Sequence, residues 1–348
     1  MKKILIAGCG YLGTALGGKL ARAGCKVWGV RRDPAAAPVL KKANIEPLTG
    51  DLTDQKFLDA LPSADYVLFC ASPSRPSDNY EMTYLQAAKS LADHYWKDSL
   101  KKFIFISSTS VYSTTDGSWV DEVTDPLKPG HQDATAVSHA KILLDAEKAV
   151  LECAHPAVIF RLSGFYGPGR NRIRPILEGK FKPALSDELT NRIYVDDAVN
   201  GIQLLLEKGK PGEIYLGADD APSTQREFYT WLYDQLKLPL PEGGTDRMPA
   251  TKVRHQSASG FVHSALGDGF AEALWRTSAG RHRGGSNKKC WNGKIKKLGL
   301  KLQYPSYKEG YEELIRESRH PERAQRVEGS SGEADSSTRP AYGRTRSE

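Results

Sequence analysis

A glycine-rich turn between a strand and a helix is the feature that most constrains how this chain folds. The apolar run Lys3–Ala7 leads directly into Gly8-Cys9-Gly10-Tyr11-Leu12-Gly13, and helical periodicity continues over Tyr11–Ala23. The pattern G-x-G-x-x-G is weak alone, but dinucleotide-binding turns require this position between a strand and a helix. The sequence therefore predicts a cofactor-binding turn at Gly8, Gly10, Tyr11, Leu12 and Gly13, and the alternative is a glycine turn that binds nothing.

Short apolar strands alternate with helical patterns after this turn. The predicted strands are Lys3–Ala7, Lys26–Val30, Ile45–Thr49, Asp65–Phe69, Phe103–Ser107, Ala157–Leu162 and Glu213–Leu216. The predicted helices include Tyr11–Ala23, Pro34–Ala43, Asn79–Tyr95, Ala134–Glu152, Asp196–Leu206 and a helix capped by Ser223 that runs to Leu236. Strands that are apolar on both faces indicate a parallel sheet covered on both sides by right-handed crossovers. The expected fold is α/β, a doubly wound parallel sheet of the Rossmann type.

The net charge of +7 is unevenly distributed along the 348 residues. Residues 1–250 carry a net charge of −1, so the basic excess belongs to the last 98 residues. A uniformly basic nucleic-acid-binding surface is therefore disfavoured. The five scattered cysteines give neither a disulfide scaffold nor a zinc motif, and no apolar run is long enough to span a membrane. We expect a cytoplasmic protein with no metal, nucleic acid or membrane partner.

The end of the second predicted strand bears on the choice of cofactor. An acidic residue there binds the ribose 2′-hydroxyl of NAD, whereas arginine accommodates the 2′-phosphate of NADP. This strand ends in Arg31-Arg32, followed by Asp33. The sequence favours NADP, with NAD possible, and the alternative is that both arginines are solvated at a strand end.

Six further segments carry a family resemblance. They are Gly50–Leu52, Phe69–Ser72, Ile106–Tyr112, Trp119–Glu122 with Pro126 and Pro129, Arg161–Arg170 and Asn191–Asp197. In this order they resemble the extended and atypical short-chain dehydrogenases/reductases, often labelled NAD-dependent epimerase/dehydratase. The resemblance implies cofactor contacts from Asp51, Leu52, Ala71, Ser72 and Ser107. It also implies a Rossmann domain at 1–165, completed by strands near 190–217, and a small α/β substrate-binding region at 166–317.

The resemblance breaks down at the catalytic tyrosine. Family members use Ser or Thr together with Y-x-x-x-K, but placing Lys141 on the lysine puts Val137 where the tyrosine belongs. The remaining catalytic candidates are Ser108, Thr109 and Lys141. His139 is two positions from Val137 and therefore on another helix face; a solvent-facing role is favoured for it.

Two functions remain open after this departure. The first is an oxidoreductase or epimerase that acts on a carbonyl or hydroxyl group of a small molecule, with a nucleotide sugar as one candidate. The expected substrate-binding residues are Arg161, Tyr166 and Arg170, and the further candidates are Arg172 and Arg174. The second is a cofactor-binding sensor or interaction module without catalysis. We expect a monomer or a homodimer. Residues 251–285 show no clear period, and 318–348 have the composition of a disordered tail.

Overall fold

A seven-stranded parallel sheet forms the centre of the molecule. In the computed structural model, the described residues are 1–73, 79–95, 100–127, 134–153, 156–241 and 287–319. Thirteen strands fall in these ranges: β1 Lys3–Ala7, β2 Lys26–Arg31, β3 Glu46–Thr49, β4 Tyr66–Phe69, β5 Lys102–Ser108, β6 Trp119–Val120, β7 Ala157–Leu162, β8 Gly164–Tyr166, β9 Leu189–Thr190, β10 Arg192–Tyr194, β11 Ile214–Gly217, β12 Ser223–Thr224 and β13 Lys289–Cys290. The sheet has the order β11-β7-β5-β4-β1-β2-β3, and each of its pairs is parallel.

Helices cover both faces of this sheet. They are α1 Tyr11–Arg22, α2 Ala37–Lys42, α3 Gln55–Asp59, α4 Ala87–His94, α5 Ala134–Leu151, α6 Ile173–Leu177, α7 Val195–Lys208, α8 Gln225–Gln235, α9 Gly293–Leu298 and α10 Tyr307–Arg319. A 3₁₀ turn, Pro34–Ala36, precedes α2, and a π-helical turn, Met82–Gln86, precedes α4. The strand order reverses between β1 and β4, so the glycine turn after β1 lies at the topological switch point.

The hydrophobic core is divided by the sheet into two faces. Ile4 and Ile6 of β1 belong to the cluster that contains α1, α7 and the C-terminal helices, whereas Leu5 and Ala7 belong to the cluster with α4 and α5. This split follows from the period of two along a strand. The predicted α/β doubly wound fold is therefore confirmed.

The C-terminal segment 287–319 folds back onto the sheet. Both carboxylate oxygens of Asp197, which is fully buried at the start of α7, accept backbone hydrogen bonds at 2.8 Å from Gln303 and Tyr304. Asn191 donates to Lys288 O at 3.0 Å and accepts from the Cys290 N–H at 2.8 Å. These bonds fix the segment against β10 and α7. Its lysines are engaged as well, since Lys294 pairs with Glu213 and Lys296 with Asp220.

Several element boundaries differ from the expectations. The predicted N-cap Ser223 is wrong: Ser223 lies in β12, and Thr224 caps α8 through a capping box with Glu227. The predicted strand β11 joins the sheet, but β9 and β10 form separate two-stranded ladders. The stretch 251–285 lies outside the described residues, as does the tail, apart from residues 318–319 at the end of α10. A search of the described helices finds no membrane-spanning candidate.

Candidate cofactor and substrate site

The glycine turn has the close backbone approach that its sequence predicts. Gly8 has φ +76°, and a side chain there would place Cβ 2.2 Å from the Ala71 Cα atom at the end of β4. A Cβ atom on Gly13 would lie 3.0 Å from the Ile6 side chain, so the glycine allows α1 to pack close to β1. Gly10 is the N-cap of α1 and provides no side-chain hydrogen bond to the helix. The first N–H groups of α1 therefore remain available for an anionic group.

Arg31 lies directly over this turn. Its Nη1 atom is 2.9 Å from the position that a Cβ atom would take on Gly10. Burial lowers the pKa of Arg31, and the nearby Cys9 and Asp33 oppose that shift. Asp33 accepts a hydrogen bond at 2.9 Å from the Ala35 N–H and so caps the following 3₁₀ turn. Arg31 is half-buried and Arg32 is exposed, so the two arginines occupy different environments.

The other predicted cofactor contacts follow the carboxyl ends of neighbouring strands. Asp51 is exposed after β3, and its Oδ1 accepts hydrogen bonds from the backbone and hydroxyl of Thr53 at 2.9 and 2.7 Å. Leu52 is buried beside it. Ala71 faces Gly8 after β4, and Ser72 is exposed. These residues share the sheet edge on which a dinucleotide binds in such folds.

Ser107 points away from that edge into a buried polar cluster. It donates a hydrogen bond to Glu147 of α5, and Glu147 receives Arg161 through Nε at 3.0 Å and Nη2 at 2.6 Å. Arg161 Nη1 also donates to the Tyr112 hydroxyl at 2.9 Å. Although burial lowers the pKa of Arg161, the hydrogen bonds and charge of Glu147 raise it overall. Arg161 is 3% exposed, so its guanidinium is engaged inside the protein.

The candidate catalytic residues lie at the end of β5 and on α5. Ser108 Oγ accepts the Ser110 N–H at 3.1 Å, and Thr109 is buried. Lys141 is exposed on α5, and Val137 is half-buried at the position of the family tyrosine. His139 is half-buried and stacks on Tyr80 with ring centroids 3.9 Å apart.

The turn is in contact with the loop that carries Arg170. The Tyr11 hydroxyl donates to Pro168 O at 2.9 Å, and its ring is parallel to that of Phe165 with centroids 6.2 Å apart. The Arg170 guanidinium lies 4.5 Å from the Phe165 centroid and 5.7 Å from that of Tyr11. Tyr166 is instead buried against Tyr311, at a centroid distance of 4.9 Å. The structure thus brings Arg170 to the turn and places Tyr166 in the core.

Two further arginines lie on aromatic rings in the same lobe. Arg172 is 4.8 Å from the Phe181 centroid, and Arg192 is 4.1 Å from that of Phe228. Within the described part of the chain, neither they nor Arg170 form an ion pair with an acidic side chain. Arg174, by contrast, pairs with Glu178 at 2.7 Å. The sequence alone did not identify Arg192 as a candidate residue. Its only signal was a cation at the first position of β10.

Comparisons with known proteins agree with this fold. The sequence model of the NAD dependent epimerase/dehydratase family matches residues 4–217. The chain is 31% identical to protein YeeZ of Escherichia coli K12 over 248 residues, which cover 70% of this chain and 86% of YeeZ.

Solved structures show the same fold. A conserved protein of unknown function from Silicibacter pomeroyi superposes with a TM-score of 0.70 at 24% identity, covering 91% of this chain and 99% of that protein. The dTDP-glucose 4,6-dehydratase DesIV from Streptomyces venezuelae, solved with NAD bound, gives a TM-score of 0.69 at 18% identity over 92% and 97%. A Rossmann sheet with a glycine turn at its switch point defines a dinucleotide-binding protein. The family match makes the assignment specific: this chain belongs to the NAD-dependent epimerase/dehydratase family.

Proposed function

We propose that this protein is an NADP-dependent oxidoreductase or epimerase that acts on a hydroxyl or carbonyl group of a nucleotide sugar. The observation that carries the proposal is the contact between the glycine turn and the Arg170 loop, through Tyr11 and Pro168 at 2.9 Å. That contact brings an arginine without an acidic partner next to a dinucleotide turn. An anionic substrate and a dinucleotide would therefore bind side by side.

The preference for NADP rests on Arg31. A guanidinium provides several donors in a planar fork and pairs strongly with a phosphate dianion. Arg31 already lies over Gly10, and the Asp33 carboxylate, which would compete for the ribose, is engaged as a helix cap. The residues present fit the cofactor, because the N-terminus of α1 has no side-chain cap and can offer its N–H groups to a pyrophosphate.

The substrate class rests on the arginines of the C-terminal lobe. Arg170 and Arg172 are held on aromatic faces without acidic partners in the described ranges. Positive charges left uncompensated in one region attract an anion such as a diphosphate. The dehydratases that resemble this chain carry dTDP-glucose in their names, and we extend that class to this protein.

Each candidate residue has a simple role in this proposal. Ser108 and Thr109, at the end of β5, would hydrogen-bond the substrate oxygen, and Lys141 would bind the ribose of the cofactor. The bound nicotinamide would accept or donate a hydride. Since Val137 carries no proton donor, the proton must move through another group, and general acid–base help is worth about 10²–10⁴ in rate.

A cofactor sensor without catalysis is the second candidate function. Val137 is the observation that favours it, because an apolar side chain stands where the family tyrosine belongs. The two candidates separate in one experiment: the sensor binds NADPH but turns over no sugar nucleotide.

The test measures cofactor binding first and turnover second. We expect NADPH to bind more tightly than NADH, and Arg31→Gln to weaken NADPH by about ten- to a hundredfold, the value of one charge-assisted phosphate contact. NADH affinity should hardly change, and Arg32→Gln is the matched control with a smaller effect. Fluorescence titration measures both. Equal NADPH affinity in wild type and Arg31→Gln would contradict the NADP assignment.

Turnover is then measured with dTDP-glucose and UDP-glucose in the presence of NADP⁺ or NADPH. Mass spectrometry and proton NMR detect oxidation, water loss or epimerisation of the sugar. A product supports the enzyme. NADPH binding together with no product from either sugar nucleotide supports the sensor.

A further inference from the structure

The carboxyl group of Asp219 is buried and only partly satisfied. It is 2% exposed, and its Oδ1 accepts one hydrogen bond at 3.2 Å from the Ala221 N–H. In the part of the chain that the structure describes, Oδ2 has no hydrogen-bond partner. The main chain is fixed here, since the Asp219 N–H donates to Arg192 O at 2.6 Å and the Asp220 N–H to Pro305 O at 2.9 Å. A buried polar atom without a partner is destabilising, because its lost hydration is not replaced.

The Arg192 guanidinium is close to the Asp219 carboxyl but forms no ion pair with it in the part of the chain that the structure describes. The two charges interact, yet no nitrogen–oxygen pair between them lies within 4.0 Å. The guanidinium lies over Phe228 at 4.1 Å and Tyr307 at 5.6 Å, and its Nη1 donates to Ser223 Oγ at 2.8 Å. These contacts hold Arg192 in place and leave other N–H groups of the fork unused.

The surroundings of Asp219 favour the protonated, neutral form of its carboxyl group. Burial raises the pKa of Asp219 to about 8, against the opposing charge of Arg192. The other groups that interact with it are Asp220 beside it, Tyr166 on β8, Cys290 on β13, and Tyr307 and Glu309 on α10. A carboxylic acid can donate as well as accept a hydrogen bond, so the site suits a hydroxyl group rather than a second cation.

Asp219 also lies at the edge of the sheet where ligands bind. It follows β11 by two residues, β11 adjoins β7, and β7 adjoins β5 with its Ser108 and Thr109. Both Thr109 and Asp219 influence the pKa of the buried Cys290 thiol, so the incomplete carboxyl lies in the same region of the molecule as a candidate catalytic residue.

We propose that Asp219 and Arg192 form a specificity subsite for a sugar hydroxyl, which would accept a hydrogen bond from Arg192 and exchange one with the Asp219 carboxyl. The inference rests on the proposed nucleotide-sugar substrate and adds the residues that read the sugar. The nucleotide part binds elsewhere, so loss of this subsite should weaken binding of a nucleotide sugar but not of the nucleotide alone.

Calorimetric titration of the full chain, saturated with NADP⁺, tests this proposal. The ligands are dTDP-glucose and UDP-glucose, each compared with dTDP and UDP. We expect Asp219→Ala to weaken both sugar nucleotides about tenfold, the value of one buried hydrogen bond, and to leave dTDP and UDP unchanged. Asp219→Asn keeps a donor and an acceptor and should retain most of the affinity. Asp234→Ala, an exposed acid on α8, is the control.

A spectroscopic readout covers the case in which Asp219→Ala folds poorly. The protonated carboxyl gives an infrared C=O band that Asp219→Asn removes, and the band should shift when dTDP-glucose binds but not when dTDP binds. An unchanged ratio of dTDP-glucose to dTDP affinity in both variants would leave Asp219 a structural acid and overturn the subsite alone. A wild-type chain that binds neither sugar nucleotide would overturn the proposed substrate and the subsite together.

Discussion

Two carboxyl–guanidinium couples lie on neighbouring parts of this fold and differ in how complete they are. Glu147 and Arg161 form a closed pair, with three short nitrogen–oxygen contacts and further bonds to Ser107 and Tyr112. The side chains of Asp219 and Arg192 interact through their charges without forming an ion pair, and Asp219 Oδ2 has no hydrogen-bond partner in the described chain. Both acids are buried, so burial alone does not distinguish them; the completeness of their hydrogen bonds does.

The difference has a simple geometric cause. Arg161 and Ser107 are register partners on adjacent strands, so both point to the same face, where α5 places Glu147. Arg192 lies on β10, outside the main sheet, and its guanidinium is held by aromatic rings instead of an acid. The closed pair therefore joins a helix to the sheet, and the open couple lies between the sheet edge and the C-terminal lobe.

The largest effect should come from breaking the closed pair. Glu147→Gln leaves the buried Arg161 charge without its carboxylate, and we expect a loss of about 3–5 kcal/mol in the free energy of unfolding. Urea denaturation followed by circular dichroism measures it. Glu152→Gln is the matched control, because Glu152 pairs with Lys148 on the surface and should change stability by less than about 1 kcal/mol. Equal losses in the two variants would contradict the structural role.

At the Asp219–Arg192 pair we expect a smaller change in the free energy of unfolding, with the opposite sign. The pKa of Asp219 is raised from 3.8 to about 8, so between these values the folded protein holds a proton that the unfolded chain has released. Wild-type stability should therefore fall as pH rises from about 4 to about 8. Asp219→Asn lacks this titration.

The variant should accordingly gain on the wild type across that window, by about 1–3 kcal/mol at pH 8, the usual cost of one unsatisfied buried group. Thermal melts of both proteins at pH 5 and pH 8 provide the comparison. A difference between them that does not change with pH would mean that the carboxyl is already ionised and satisfied.

The smallest change in the free energy of unfolding should follow removal of the Arg192 guanidinium. Arg192 is half-exposed and stacked on Phe228, so we expect Arg192→Gln to lower the free energy of unfolding by about 0.5–1 kcal/mol, the value of an exposed cation–π contact. Arg161→Gln should cost several times more, because it strands Glu147 in the interior. Urea denaturation of the two variants checks the ratio. Similar losses would remove the distinction between the couples.

Local patterns predicted most of the sheet and the cofactor turn. Strands β1 and β7 begin and end at the predicted residues, because each is a short apolar run bounded by polar residues. The short helix α3 was missed, since five residues carry no clear period and its cap, Asp54, is a single polar residue. The predicted cap of α8 was one residue early, because both Ser223 and Thr224 can cap and the capping box of Thr224 with Glu227 decides between them.

The candidate site divides in the same way. The glycine spacing and Arg31 could be recognised because each lies at the end of a predicted strand, the glycines after β1 and Arg31 at the end of β2. The roles of Ser107, Glu147 and Arg161 could not, because they depend on which face α5 presents to β5 and β7. Arg192 and Asp219 were missed for the same reason. They are far apart in sequence, and the hydrogen bond from the Asp219 N–H to Arg192 O forms only in the folded chain.

The sequence by itself determined the class of fold, the position of the dinucleotide turn and the charge at the end of β2, because each follows from spacing along one stretch of chain. Tertiary structure alone decided which buried charges are paired, because pairing depends on distances between residues far apart in sequence. It placed Glu147 in an ion pair with Arg161 and left Asp219 Oδ2 without a hydrogen-bond partner among the described residues. The physical reason is that a carboxyl buried in a low-dielectric interior needs a partner within hydrogen-bond reach, and only the fold sets that distance.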